Sequence, residues 1–154
     1  MISISGEHTC RVDAKGRFLL PAGLKAQLAD VITDGFIIKK SIFNQCLELY
    51  PQSTWDELDA RVKSKLNRFV KKHNDFYRAL NSGLKKLELD GMGRVLIPHD
   101  LIPFAGISSD IIVSAKMDCI EIWDKLKYEA NVLATQENMS ELAEELLGDI
   151  NLNE

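Results

Sequence analysis

Polar and apolar residues alternate over Thr9-Cys10-Arg11-Val12, which predicts a strand with Cys10 and Val12 on its inner face. Asp13-Ala14-Lys15-Gly16 interrupts the alternation as a tight connection, because aspartate bonds readily to the backbone two residues on and Gly16 can take a positive φ. Arg17-Phe18-Leu19-Leu20 is then a returning strand, giving a hairpin with Lys15 and Arg17 at its tip or shoulder. Pro21 suits the start of a short helix on which Leu24 and Leu28 lie one turn apart. Asp34-Gly35 signals a turn, and strands are expected through Phe36-Ile37-Ile38 and Leu47-Glu48-Leu49-Tyr50, with Lys39 and Lys40 exposed on the connection between them. From Ser53 the period becomes helical: Trp55, Leu58, Val62, Leu66, Phe69, His73, Phe76 or Tyr77, and Leu80 mark the apolar stripe of a helix pair capped by Ser53 and ended by Gly83.

The pattern then begins again. An offset of 77 carries Asp13 onto Asp90, Gly16 onto Gly93, Arg17 onto Arg94 and Pro21 onto Pro98, so that Val12 to Pro21 returns as Leu89 to Pro98. Each copy continues with an apolar helix containing Leu24 or Leu101, a β-branched run (Phe36-Ile37-Ile38 or Ile111-Ile112-Val113), and Cys46-Leu47-Glu48-Leu49-Tyr50 or Cys119-Ile120-Glu121-Ile122-Trp123. The last pair is offset by 73, a shortening that loops absorb more easily than strand registers. This is an internal duplication. It divides a single domain of 154 residues into a first repeat over 6–52, connecting helices over 53–83, a second repeat over 84–124, and C-terminal helices with an acidic tail over 125–154.

A hairpin with one short helix cannot bury its own apolar face. Two such units can interleave strands into a closed sheet with paired edges, placing both glycine turns near a pseudo-twofold axis. Within each turn Asp and Arg stand four residues apart, so an ion pair that locks the turn competes with a free arginine as the reading of Asp13, Asp90 and Arg94. Lys15 and Arg17 point more to function, since only the first connection holds two cations and the second has Met92 in place of Lys15.

Charge sharpens this reading. The net charge is −4, but residues 1–99 carry 16 Lys/Arg against 11 Asp/Glu, while residues 100–154 carry 3 against 12. A polyanion responds to the nearby potential, so a basic face can coexist with an acidic tail. Arg61, Lys63, Lys65, Arg68, Lys71 and Lys72 are read as the wet side of the helix pair, with DNA contact as the competing reading. Cys10, Cys46 and Cys119 are widely spaced with no metal-ligand pattern, and are expected to be small buried strand residues rather than zinc ligands. His73 is expected to be a packing residue. No nucleophile–base signature, HExxH, GxSxG or P-loop is present, so neither an enzyme nor a cofactor or small-molecule substrate is expected. The first six residues do not look like a secretory signal and no stretch has the length of a membrane span, which points to the cytosol and away from a membrane partner.

The two Asp-x-x-x-Arg turns, with Leu89-Asp90-Gly91-Met92-Gly93-Arg94-Val95-Leu96-Ile97-Pro98 and Ile120-Glu121-Ile122-Trp123-Asp124, resemble the MraZ family, a branch of the AbrB-like (SpoVT-AbrB) DNA-binding proteins that repeats the motif within one chain. The resemblance runs from about Gly6 to about Gly148. It implies an α+β fold, a double-split, swapped-hairpin β-barrel of two tandem repeats with peripheral helices, assembled into homo-oligomeric rings. It also implies a nucleoid-associated transcriptional regulator that binds repeated sites in double-stranded DNA upstream of the division and cell-wall operon. By position, Lys15 and Arg17 are the DNA-facing residues of the first turn and Arg94 their counterpart in the second, while Asp13, Gly16, Asp90 and Gly93 shape the motif. The alternative is an antitoxin-like or other protein-binding module on the same barrel, for which residues 138–154 are the candidate partner-binding segment.

Overall fold

A computed structural model describes residues 2–150. Its elements follow the duplication: β1 (Glu7–Arg11), β2 (Arg17–Leu19), α1 (Ala22–Gln27), β3 (Phe36–Lys40) and β4 (Leu47–Pro51) make up the first copy. The helices α2 (Gln52–Ser64) and α3 (Lys71–Leu80) follow, and the second copy runs through β5 (Lys85–Leu87), β6 (Arg94–Leu96), α4 (Leu101–Ala105), β7 (Asp110–Lys116) and β8 (Cys119–Asp124). Chain contacts divide the molecule into a unit Met1–Asp124 and a unit Lys125–Glu154. The latter holds α5 (Lys125–Gln136) and α6 (Met139–Leu147), with Asn138 at the N-cap of α6. The last four residues of the expected acidic tail lie outside the described residues.

In unit Met1–Asp124 β3 pairs with β4 and β7 with β8 inside each copy, whereas β1–β7, β2–β6, β3–β5 and β4–β8 pair across the copies. One antiparallel sheet has the order β1-β7-β8-β4-β3-β5 and a second consists of β2 and β6. Exchanging each strand for its counterpart reverses the six-strand order without changing it, so a pseudo-twofold axis passes between β4 and β8. The registers place it at named residues. Phe18 pairs with Val95, its own equivalent, and Glu48 pairs with its equivalent Glu121.

Two expectations are corrected here. β1 and β2 do not form a hairpin ladder with each other: β1 pairs with β7 and β2 with β6, and between them run the bonds of the Asp13–Arg17 turn, among them Asp13 N to Arg17 O at 2.8 Å. Among the described residues the strands form two sheets rather than one closed sheet. The reason lies in side-chain parity. Phe18, Leu20, Val95 and Ile97 point inward against Ile38, Leu49, Ile111, Val113, Ile120 and Ile122, all at most 2% exposed. The short ribbon therefore lies over the large sheet through its side chains. α1 and α4 contribute Leu24 and Leu101 to the same core.

The opposite face of the large sheet carries Cys46, Glu48, Tyr50, Cys119, Glu121 and Trp123. Lys39 and Lys40, expected on an exposed connection, belong to β3, and Lys39 is only 3% exposed. Burial pulls the Lys39 pKa down and Glu48 offsets this only in part. Like charges directly opposite in a ladder repel, and Glu48 faces Glu121. The ammonium of Lys116 resolves the conflict, at 2.8 Å from Glu48 Oε2 and 3.4 Å from Glu121 Oε2, with Lys39 Nζ 3.7 Å from Glu48 Oε1. Burial opposes the charge on Lys116, but the hydrogen bond from its ammonium to Glu48 and the negative charge of Glu48, Cys119 and Glu121 together outweigh this and hold the ammonium above the usual lysine range. Trp55 of α2 covers part of this face, its ring 5.5 Å from that of Tyr50. Cys46 and Cys119 are buried as expected, while Cys10 is half-buried; burial pushes the thiols of Cys46 and Cys119 up to about 12.

The helical stretch also differs from its periodicity. Pro51, not Ser53, takes the N-cap position of α2, and the segment 65–70 breaks the pair so that Phe69 stands 89% exposed. Asn67 N donates to His73 Nδ1 at 2.8 Å across this break, giving His73 the structural partner expected of it.

Phe18→Ala should cost about 3–5 kcal/mol in urea unfolding, whereas Leu19→Ser, at a position 61% exposed, should stay within about 0.5 kcal/mol; equal costs would contradict the inward parity of the ribbon. Lys116→Met should destabilise by about 1–3 kcal/mol. It leaves the two facing carboxylates of Glu48 and Glu121 without the ammonium they share. A urea midpoint equal to that of the wild type would rule out this role.

Candidate nucleic-acid interface

Each Asp-x-x-x-Arg segment closes on itself in the same way. In the first turn Asp13 Oδ1 accepts the backbone N–H groups of Lys15 and Arg17, both at 2.9 Å, and Asp13 Oδ2 accepts Arg17 Nε at 2.9 Å. In the second, Asp90 Oδ1 accepts the N–H groups of Met92 and Arg94 at 2.9 Å, and Oδ2 accepts Arg94 Nε at 2.8 Å. Gly16 and Gly93 sit at φ +85° and +78°, where a side chain would strain the backbone, and their N–H groups return to the carbonyls of Asp13 and Asp90. Asp13 and Asp90 thus accept the N–H groups of their turns, and Gly16 and Gly93 take the positive φ in them. The backbone N–H of Arg17, followed by its guanidinium, holds the Asp13 carboxyl below the usual carboxylate range, and Arg94 does the same for Asp90.

The competing readings of the arginines turn out to be compatible. Only Nε of each meets the aspartate, and the side chains keep 27% and 29% exposure. Among the described residues neither terminal nitrogen pair has a carboxylate partner, so the outer edge of each fork remains available in a fixed orientation. That edge can donate two parallel hydrogen bonds to a phosphate or to guanine O6 and N7. Lys15 is exposed on the first turn with no carboxylate partner among the described residues, while Met92 at the same place is 70% exposed.

The turns flank the β2–β6 ribbon, whose registers pair Arg17 with Leu96 and Leu19 with Arg94. Its outer face therefore presents two arginines and two leucines, with Leu19 61% and Leu96 54% exposed. Sequence pattern alone assigned those leucines to no surface, because Phe18-Leu19-Leu20 reads as continuous apolar chain. It also missed Lys25 on α1, whose Nζ lies 3.0 Å from the point a β-carbon on Gly93 would occupy. The offset of 77 carries Lys25 onto Ile102, and that exchange of charge for methyl was the available signal.

A protein built in this way, from two copies of one Asp-buttressed arginine turn joined through a shared ribbon, is an internally duplicated α+β protein. Comparison with known proteins agrees: the family model described as "MraZ protein, putative antitoxin-like" matches residues 3–79 and again 80–150. The chain is 48% identical over 97% of its length to "Transcriptional regulator MraZ" of Christiangramia forsetii, covering 96% of that protein. It is 46% identical over 100% of its length to the protein of the same name from Flavobacterium psychrophilum, covering 98%. For that of Cytophaga hutchinsonii the identity is 35%, over 93% of each chain. The chain belongs to the MraZ family.

Carboxyl titration by NMR should place Asp13 and Asp90 below the model-peptide value of about 3.9. Because the folded-state values are depressed, the turns' contribution to stability is present above that value and is lost as pH falls through the folded ones. Protection of the Lys15, Arg17, Met92 and Arg94 amides, relative to their intrinsic exchange rates, should fall over the same range; normal titration of either aspartate would show that its turn is not locked in solution.

Proposed function

We propose that this protein is a sequence-specific DNA-binding transcriptional regulator. The observation that carries the proposal is the pair of locked turns, each holding an arginine fork outward beside a ribbon narrow enough for a major groove. The relatives' shared name supports the same reading. Lys15, Arg17 and Arg94 meet the DNA, Lys15 through phosphate and the arginines through guanine edges or phosphate. No residue is assigned a catalytic role. The two sheets are the walls of a double-split barrel, with residues 6–52 and 84–124 as its repeat units and 53–83 as the covalent joint.

A single bidentate arginine discriminates between bases by only about 1–3 kcal/mol, too little for one protomer to find one promoter. Assembly into a homo-oligomeric ring answers this, since several identical tips on spaced repeats make later contacts intramolecular. The sites are repeats upstream of the division and cell-wall operon, and the protein works in the cytoplasm at the nucleoid. The antitoxin-like wording of the family description, with Leu146 69% exposed on the acidic α6, supports the second reading, a protein-binding module.

Arg17→Ala should lower affinity for a duplex from upstream of its own coding sequence by about ten- to a hundredfold in a gel shift at fixed salt, and Arg17→Lys should not restore it, because an ammonium cannot supply the fork. For the wild type, log affinity should fall steeply with log salt. Equal affinity of Arg17→Ala and wild type would refute the assignment, and a protein that ignores this DNA but captures a protein partner would favour the second reading.

A further inference from the structure

The two tips differ in their turn sequences but hold the same charged groups. In the first, Lys15 stands in the turn, and the atom nearest the vacant β-carbon position of Gly16 is Ile102 Cδ1, at 3.3 Å. In the second, Met92 stands in the turn, and the atom nearest the corresponding position of Gly93 is Lys25 Nζ, at 3.0 Å. Under the offset of 77, Lys15 corresponds to Met92 and Lys25 to Ile102. Ammonium and apolar end have therefore changed places, and each tip keeps one of each beside its buttressed arginine. Because α1 belongs to the first repeat, the cation of the second tip comes from the other half of the chain.

The surroundings of Lys25 suit an anion. The residue is exposed, and among the described residues no carboxylate lies within ion-pair distance of its Nζ. It lines an open cleft with Glu88, Asp90, Gly91 and Gly93. Of the two acids there, Asp90 is already occupied by Arg94 and two backbone N–H groups. A bare glycine beside the ammonium lets a phosphate approach the backbone closely, as a side chain would not.

We propose that Lys25 is a phosphate-contacting residue of the second tip, so that both tips engage duplex DNA with an arginine and a lysine although only one has the lysine in its turn. This rests on the DNA-binding reading above. The test uses the full chain and the same upstream duplex, labelled for anisotropy titration over a salt series, with circular dichroism and a urea midpoint as folding controls. Lys25→Ile, which installs the residue found at the equivalent position, should weaken binding several-fold and reduce the log–log salt slope by about 0.9, one phosphate contact, for each protomer engaged. Adding Met92→Lys to that variant, which moves the ammonium to its place in the first tip, should restore both affinity and slope. Wild-type affinity and slope in Lys25→Ile, beside loss in Arg17→Ala, would overturn this inference alone. So would a folded double variant that stays as weak as Lys25→Ile. Absence of binding by the wild type would remove the regulator reading together with this one.

Discussion

Phe18 and Val95 occupy the same place in the two copies and face each other across the β2–β6 ribbon, and this contact constrains everything around it. Each of these strands is three residues long and has its ladder partner only in the other copy. A ribbon so short is not stable alone, so it forms only where its inward side chains can be buried. The large sheet offers that surface, and it too joins the copies, with β4 paired to β8 at its centre and β1 crossing to β7 and β5 to β3 at its edges. Neither copy has a fold of its own, and the two turns are fixed relative to each other by the core rather than by the linker.

Within that frame the aspartates settle how the cations are shown. Exposed ion pairs between flexible side chains contribute little, but here the carboxylate also accepts two backbone N–H groups, so one residue shapes the turn and orients the arginine. Using Nε for the aspartate leaves the far edge of the guanidinium for a ligand. A lysine could not divide its donors in this way, because its ammonium has no rigid fork.

The far face of the sheet meets a second consequence of the axis. Symmetry brings Glu48 and Glu121 together, and the chain resolves the repulsion asymmetrically, with Lys39 and Lys116 around Glu48. The same departure from symmetry recurs at the tips, where Lys15 and Lys25 supply one ammonium each from non-equivalent positions. In both places the duplicated chain keeps the charge and changes the residue that brings it.

The chain's own order of residues was enough to reveal the duplication, the Asp-x-x-x-Arg turns with their glycines, the apolar strands, and Leu24 and Leu28 on one face of α1. These depend on spacing within a few residues, where backbone geometry and side-chain periodicity act directly. Strand partners did not follow from it: β1 and β2 look like a hairpin because they adjoin a tight turn, yet their partners lie a repeat away. Nor did the burial of Lys39, the break at 65–70 that exposes Phe69, the outward Leu19 and Leu96, or the approach of Lys25 to Gly93. Each of these depends on what an element from the other half, or a distant helix, places opposite. Local propensity is written along the chain, whereas burial and charge pairing are decided only when the two halves exchange strands.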